Sequence, residues 1–407
     1  MILRARYIQA ARGQTIEDGA VRIESGKIVE AGPAPAVSGP PTDDLGDSLL
    51  LPGFVNAHTH LELTHLAGRV PPRGNFVDWM SRLVKAMRVE GDEEQGVRDA
   101  VQRGRTLSLQ AGVTTVGDIT RLPAITRPVL ADGPLRVLSF GEVIAVGALR
   151  HRLGDRLAAA TDPSARSAFL EVGISPHAPY TLEPDGMRAC ASRAAACGLR
   201  MSMHLAETPE EALFTVRLTG PVRSFFKRHG VWDRRVPCPH LPPVEYAATA
   251  GVLGAETVLV HVNYVSDEEI DRIAASGAHV AYCPRTHEAF GHPPHSFRRM
   301  LDRGVNVCVG TDSLASNPSL SVLEELRFLR GRHPDMPAAV LIEMGTVRAA
   351  RALGMDAQPR RVGAIAPGFW ADLTVIPLDP TGPADPLDNI LQSRTDPLRT
   401  CVAGRWI

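Results

Sequence analysis

The stretch Leu51-Pro52-Gly53-Phe54-Val55-Asn56-Ala57-His58-Thr59-His60-Leu61-Glu62 decides how the rest of the chain is read. A short apolar run, Phe54-Val55, leads into His-x-His. Along an extended strand, residues two apart face the same side. His58 and His60 therefore present two imidazoles to one point, and imidazole is a good ligand for zinc and other borderline divalent metals. The pair alone carries little weight. With 14 histidines in 407 residues, simple frequencies give about half of one such pair by chance. Its weight comes from partners farther along the chain, each at the end of a strand-like run.

Those runs fall at 54–57, 114–119, 135–143, 170–175, 200–204, 257–262, 279–283 and 306–310. Helical patterns at 77–110, 184–197, 209–217, 267–276, 295–303, 319–331 and 338–353 follow most of them. Eight strand–helix units in roughly 300 residues predict an α/β fold, a parallel (β/α)8 TIM barrel over 52–360. The segment 219–250 breaks this rhythm. It carries Pro237-Cys238-Pro239-His240-Leu241-Pro242-Pro243, which is poor helix material and reads as an insertion.

The two ends of the chain look alike. Gly19-Ala20-Val21-Arg22-Ile23-Glu24 and Lys27-Ile28-Val29-Glu30 flank Ser25-Gly26, a hairpin by turn chemistry. Residues 31–45 are rich in Pro and Gly and read as loop. Near the other terminus, 371–376 and 399–407 are strand-like. Neither tail is long enough to bury a good core alone. Residues 1–51 and 361–407 are therefore expected to combine into one small β-sandwich domain.

Composition narrows the class. A net charge of −1 creates no field that would draw the chain to nucleic acid or to an anionic membrane. No apolar run has the length of a bilayer span, and the first residues lack a signal-peptide core. The six cysteines form no paired framework and no Cys-x-x-Cys, so reduced thiols and a cytoplasmic location are expected. The expected partner is a small-molecule substrate, with a homodimer as the commonest assembly of such enzymes.

Barrel chemistry collects at the C-terminal ends of the strands. Strand 1 ends in His58 and His60, strand 4 in Ser175-Pro176-His177, and strand 5 in His204-Leu205-Ala206-Glu207. Strand 6 ends in His261, strand 7 in Cys283-Pro284-Arg285-Thr286-His287, and strand 8 in Gly310-Thr311-Asp312-Ser313. Each has an ordinary reading by itself. A lone histidine is usually structural, an Asp after Gly-Thr caps a helix, and Glu207 suits a first helical turn. Six such coincidences at one barrel face argue instead for a site.

At these residues the chain resembles the amidohydrolase superfamily, within it the cytosine deaminase and chlorohydrolase branch. The resemblance covers almost the whole length. It rests on Pro-Gly-Phe-Val-Asn-Ala-His-Thr-His at 52–60, Ala-Gly-Val-Thr-Thr at 111–115, His-Leu-Ala-Glu-Thr at 204–208, Gly-Thr-Asp-Ser at 310–313 and Pro-Gly-Phe-Trp-Ala-Asp-Leu at 367–373. It implies that His58, His60, His204 and Asp312 bind one divalent metal. It implies that Glu207 is the proton shuttle, that His261 neighbours the attacking water, and that Asp312 takes that water's proton. Two-metal members of the superfamily carry a carbamylated lysine at the end of strand 4. This chain has His177 there, which implies one metal.

The residues agree with that reading. Three neutral imidazoles and one carboxylate leave a position open for water, as a catalytic centre needs. Zinc fits the ligand types and a reaction without redox change; iron is the alternative. The implied reaction is hydrolytic deamination of an amino-purine-type ring, with Glu207 protonating a ring nitrogen. For the substrate, His177 is read as a base or sugar contact, Glu62 as a partner for a hydroxyl, Arg285 as the fork for a carboxylate, and His287 as an assistant. The run Cys283-Pro284-Arg285-Thr286-His287-Glu288-Ala289-Phe290-Gly291-His292 and Leu61-Glu62-Leu63-Thr64-His65-Leu66 resemble a subgroup that includes the 6-aminodeoxyfutalosine deaminases of menaquinone biosynthesis. The alternatives are deamination of adenosine, S-adenosylhomocysteine, guanine or cytosine, and a triazine chlorohydrolase. A metal-binding scaffold without catalysis is the reading from a different class.

Overall fold

The computed structural model describes residues 1–87 and 93–407. Eight parallel strands form the expected barrel: Phe54–Thr59, Val113–Thr120, Arg136–Val143, Leu170–Pro176, Met201–Leu205, Thr257–His261, His279–Tyr282 and Asn306–Val309. Each pairs with its sequence neighbours in that order. Between strand 8 and strand 1 the ladder shrinks to one parallel bridge, Thr59 to Asp312. Closure there depends on Gly310. A Cβ on it would lie 2.8 Å from Cβ of His58 and 2.9 Å from the His58 carbonyl, so only glycine lets the two strands approach. The inner and outer faces of the strands are both buried, as parallel barrels require.

Most helices arise where their sequence signals stand. The helix Asp267–Ser276 starts from a capping box, Ser266 with Glu269, and stops at Gly277 in the left-handed region. The pattern at 77–110 becomes two helices, Phe76–Ala86 and Glu93–Gln110; its residues 88–92 lie outside the described residues. The pattern at 338–353 breaks at Gly345 into Ala338–Met344 and Val347–Ala352, because Gly345 packs against Val322 and its carbonyl accepts from Val55. Two crossover helices lacked a clear pattern, Pro123–Ala131 and Leu153–Thr161. The interruption between strands 5 and 6 holds the helices Pro221–Arg228 and Pro243–Thr249. Among the described residues, no helix is long and apolar enough to cross a membrane.

The two ends of the chain share one mixed sheet. Its order runs Arg405–Trp406, Arg399–Val402, Leu373–Pro377, Ser48–Pro52, Ile2–Gln9, Thr15–Glu24, Lys27–Pro33. The sheet rolls over a cluster that includes Leu3, Val21, Ile28, Leu50, Leu373 and Cys401, so its opposite edges meet where Ala371 N donates to the Gly26 carbonyl. The two layers of the expected sandwich are thus parts of one continuous sheet.

A buried ion pair pins this sheet to the barrel. Arg136, opening strand 3, meets Asp372 through Nε–Oδ2 at 2.5 Å and Nη2–Oδ1 at 3.3 Å. Both side chains are almost fully buried, and Ala403 N also donates to Asp372. Removing one partner of such a pair leaves an uncompensated charge. Asp372→Ala is therefore expected to cost about 3–5 kcal/mol, read as a lower Tm. A loss below about 1 kcal/mol, the value typical of exposed pairs, would show that the contact is not a fastener.

Candidate metal centre

Three imidazoles converge at the C-terminal mouth of the barrel. Ligand nitrogens of His58, His60 and His204 lie within 4.8 Å of one another. Nε2 of His60 and Nε2 of His204 are 3.3 Å apart. Oδ1 of Asp312 is 3.7 Å from Nε2 of His58 and 3.6 Å from Nε2 of His60. Strand 1 supplies the first two rings by its two-residue alternation, and strand 5 and the end of strand 8 supply the others.

The donor set fits a divalent cation. Burial holds the imidazoles of His58 and His60 well below their usual pKa and that of His204 down to about 4, so all three are neutral. The Nδ1–H of His204 donates to the His177 carbonyl at 3.0 Å, which leaves the Nε2 lone pair for the centre. His58 is fully buried and neither of its ring nitrogens has a hydrogen-bond partner. An orphaned buried imidazole is costly, and a cation at Nε2 would satisfy one of its two nitrogens.

Supporting contacts fix the ligands. Asn56 Nδ2 donates to Thr311 Oγ1 at 2.7 Å, and its Oδ1 accepts from Thr311 N at 3.1 Å and His58 N at 3.3 Å. The Ser316 hydroxyl donates to Oδ2 of Asp312 at 2.7 Å, leaving Oδ1 toward the histidines. Backbone strain gathers here: Ala206, His261, Val262 and Asp312 have φ of 49°, 71°, 54° and 58°. Each costs about 1–3 kcal/mol and persists only where neighbours hold it.

Beside the cluster, Oε1 of Glu207 lies 3.4 Å from Nε2 of His261. Both side chains are buried. Burial, reinforced by nearby Asp312, pushes the Glu207 carboxyl well above the usual carboxylate range, which favours its protonated form. Burial keeps His261 neutral. His295 donates from Nε2 to the His261 carbonyl at 2.7 Å, while its Nδ1 accepts from Phe297 N and so fixes that tautomer.

His177 stands next to His204, with ring centroids 5.0 Å apart. The Thr181 hydroxyl donates to the Ala178 carbonyl, so Nδ1–H of His177 donates to Thr181. Its Nε2 is then an acceptor and faces Oε1 of Glu142 at 3.6 Å. Burial raises the Glu142 carboxyl to about 7. Two adjacent acceptors of this kind suit a ligand hydroxyl or N–H.

The remaining substrate candidates are differently placed. Both oxygens of Glu62 are engaged, by Arg121 Nε at 2.7 Å, the Thr120 hydroxyl at 3.1 Å and Arg121 N at 3.2 Å. Arg285 lies in the short helix Pro284–Ala289 that follows strand 7. Its backbone N–H donates to Glu325 and its Nη1 to Ser319 Oγ at 2.9 Å. His287 is buried against Tyr282, His292 and His295. An apolar wall of Leu63, Trp79, Ala315, Phe76 and Phe290 adjoins the ligand loops and includes Trp79 and Met80 of the Asp78-Trp79-Met80 segment, while Asp78 is exposed. Glu142, Asn56, Ser316 and Glu211 were not found by motif reasoning. The one signal for Glu142, Asn56 and Glu211 was polarity inside otherwise apolar strand or helix faces; Ser316, in a turn, carried none.

Comparison with known proteins places this geometry. A model of the amidohydrolase family matches residues 49–407. The chain is 29% identical over 359 residues to the aminodeoxyfutalosine deaminase of Deinococcus radiodurans, covering 81% of each. It is 29% identical over 392 residues to a 5-methylthioadenosine/S-adenosylhomocysteine deaminase of Nitratidesulfovibrio vulgaris, covering 91% of this chain and 82% of the relative. The crystal structure of Helicobacter pylori aminofutalosine deaminase with methylthio-coformycin superposes with a TM-score of 0.85 at 24% identity, covering 100% of this chain and 99% of that one.

Proposed function

Since the chain belongs to the amidohydrolase family, we propose that it is a one-metal hydrolytic deaminase of an adenine-bearing nucleoside, with 6-aminodeoxyfutalosine as its substrate. The observation that carries this reading is the buried Glu207 carboxyl, 3.4 Å from His261 Nε2 and beside three converging imidazoles and Asp312. His58, His60, His204 and Asp312 would hold the ion. The ion is zinc on this reading, from its borderline ligands and a reaction without redox change.

When bound, the ion acidifies a water molecule and so makes a nucleophile available at neutral pH. Asp312 accepts a proton at Oδ1, with Oδ2 held by Ser316. Glu207 gives its proton to the ring nitrogen beside the amine-bearing carbon, which makes that carbon electrophilic. His261 Nε2 lies where it steadies charge that develops on the attacked carbon's substituents. Water adds to the carbon, the proton taken by Asp312 passes to the amine, the C–N bond breaks and ammonia leaves, while the added hydroxyl gives its proton back to Glu207 as the carbonyl forms. His177 and Glu142 bind a sugar hydroxyl through their paired acceptors, which favours a nucleoside over a free base or a triazine.

The Deinococcus relative supports the futalosine-type substrate. A second reading, 5-methylthioadenosine or S-adenosylhomocysteine, is favoured by the Nitratidesulfovibrio relative and by the engagement of Arg285 with Ser319. A panel of 6-aminodeoxyfutalosine, 5-methylthioadenosine, S-adenosylhomocysteine, guanine, cytosine and an aminotriazine separates them. The expected result is ammonia release from the nucleosides alone, with kcat/KM for 6-aminodeoxyfutalosine at least ~10-fold above the others. No ammonia from that compound rules out the specific substrate, and no ammonia from any compound rules out deamination of these classes.

A further inference from the structure

Glu211 is a completely buried acid on the first turn of the helix Pro209–Arg217, four residues beyond Glu207. Acids are almost never so buried unless they are paired. Its partners are backbone N–H groups of the turn before the helix. Oε1 accepts the N–H of Ala206 at 3.0 Å, and Oε2 accepts the N–H of Glu207 at 2.9 Å. Strand 5 has ended at Leu205, so neither N–H belongs to a strand of the barrel.

The same turn is held from its other side. Asn263 Nδ2 donates to the Glu207 carbonyl at 3.0 Å, and Tyr264 N donates to the Ala206 carbonyl at 3.0 Å. Between the two grips Ala206 sits at a φ of 49°, a conformation that a non-glycine residue keeps only under constraint. The side chain of Glu207 leaves the backbone at the next residue. Its aim at His261 is therefore set by the constraint on this turn.

We propose that Glu211 is a positioning residue that fixes the turn at 206–207 and thereby aims the Glu207 carboxyl. The proposal rests on the proton-transfer role given to Glu207 above. Glu211 touches neither the metal ligands nor the reacting atoms. Two acceptor oxygens are needed for two N–H groups. Glutamine has the same shape but sets its NH2 against one of them, so one hydrogen bond is lost and the turn loosens.

The test is a double-mutant cycle in the full-length, metal-loaded chain, with bound metal measured on every sample. Glu211→Gln is expected to lower kcat by ~10- to 100-fold with KM and metal content within about twofold, as a misaimed acid would. In a Glu207→Gln background the same substitution is expected to change kcat by less than about twofold, because the group it aims is gone. Unchanged kcat in Glu211→Gln, or equal losses in both backgrounds, overturns the proposal. Amide hydrogen exchange of the unsubstituted chain decides the matter if Glu211→Gln does not fold. Ala206 and Glu207 amides that exchange with the slow core class support the grip, and amides that exchange like an open loop overturn it. If Glu207→Gln keeps full turnover, the functional reading fails, while the exchange experiment still reports on Glu211 by itself.

Discussion

Glu207→Gln is expected to lower kcat by about 10²- to 10⁴-fold while leaving the bound metal unchanged. The reason is local. The Glu207 carboxyl is buried, close to His261 Nε2 and outside the converging ligand set. Burial raises its pKa well above the usual carboxylate range, which favours the acid form, and a carboxylic acid can both give and take back a proton. A glutamine amide fills the same space and does neither. Ammonia release and metal content, measured on one preparation, check the two halves together. Full turnover with full metal would remove Glu207 from the mechanism. Loss of metal together with turnover would place it among the ligands instead.

His58→Ala is expected to have an effect of similar size for a different reason. His58 is fully buried at the end of strand 1, and both its ring nitrogens lack hydrogen-bond partners. Among the described residues, the converging group of potential ligands is His58, His60 and His204, so losing His58 removes one of its three imidazoles. Removing a supporting contact such as the Ser316 hydroxyl typically weakens metal binding by about 10–100-fold. Removing a ligand should exceed that, so the variant is expected to lose its tightly bound ion and its turnover together. His151, exposed and far along the chain, supplies the control substitution. Retention of tight metal by His58→Ala would mean that the ion sits elsewhere.

The barrel was legible because its strands are short apolar runs that end in chemistry-bearing residues, at intervals that leave room for a helix. His58, His60, His204, Glu207, His261 and Asp312 could each be read at a strand end, and the structure brings them to one mouth. What escaped is of two kinds. The helix Pro123–Ala131 hides its periodicity because Pro128 lies inside it and Arg127 is buried. Arg127 looks like a surface residue by type, yet its guanidinium donates to Ser139 and to the carbonyls of Ala159, Ala160 and Asp162, tying two crossover helices together.

The second kind is the layer of buried polar residues behind the ligands. Asn56 and Glu142 meet partners from other strand ends, contacts that follow from closure of the barrel and that no local pattern contains. Ser316 and Glu211 reach only four or five residues back, to Asp312 and to the backbone of Ala206 and Glu207, and no motif marks them. Arg285, expected as a substrate contact from its position after strand 7, lies in the short helix that Pro284 opens, where its Nη1 donates to Ser319.

The most direct test is the location and number of bound ions in zinc-loaded crystals, from anomalous scattering at the zinc edge with metal content measured on the same batch. The expected result is one equivalent per chain, with a single peak ~2.0–2.2 Å from Nε2 of His58, His60 and His204 and from the Asp312 carboxylate. Two tight equivalents, a peak away from these four side chains, or no peak at all would contradict it.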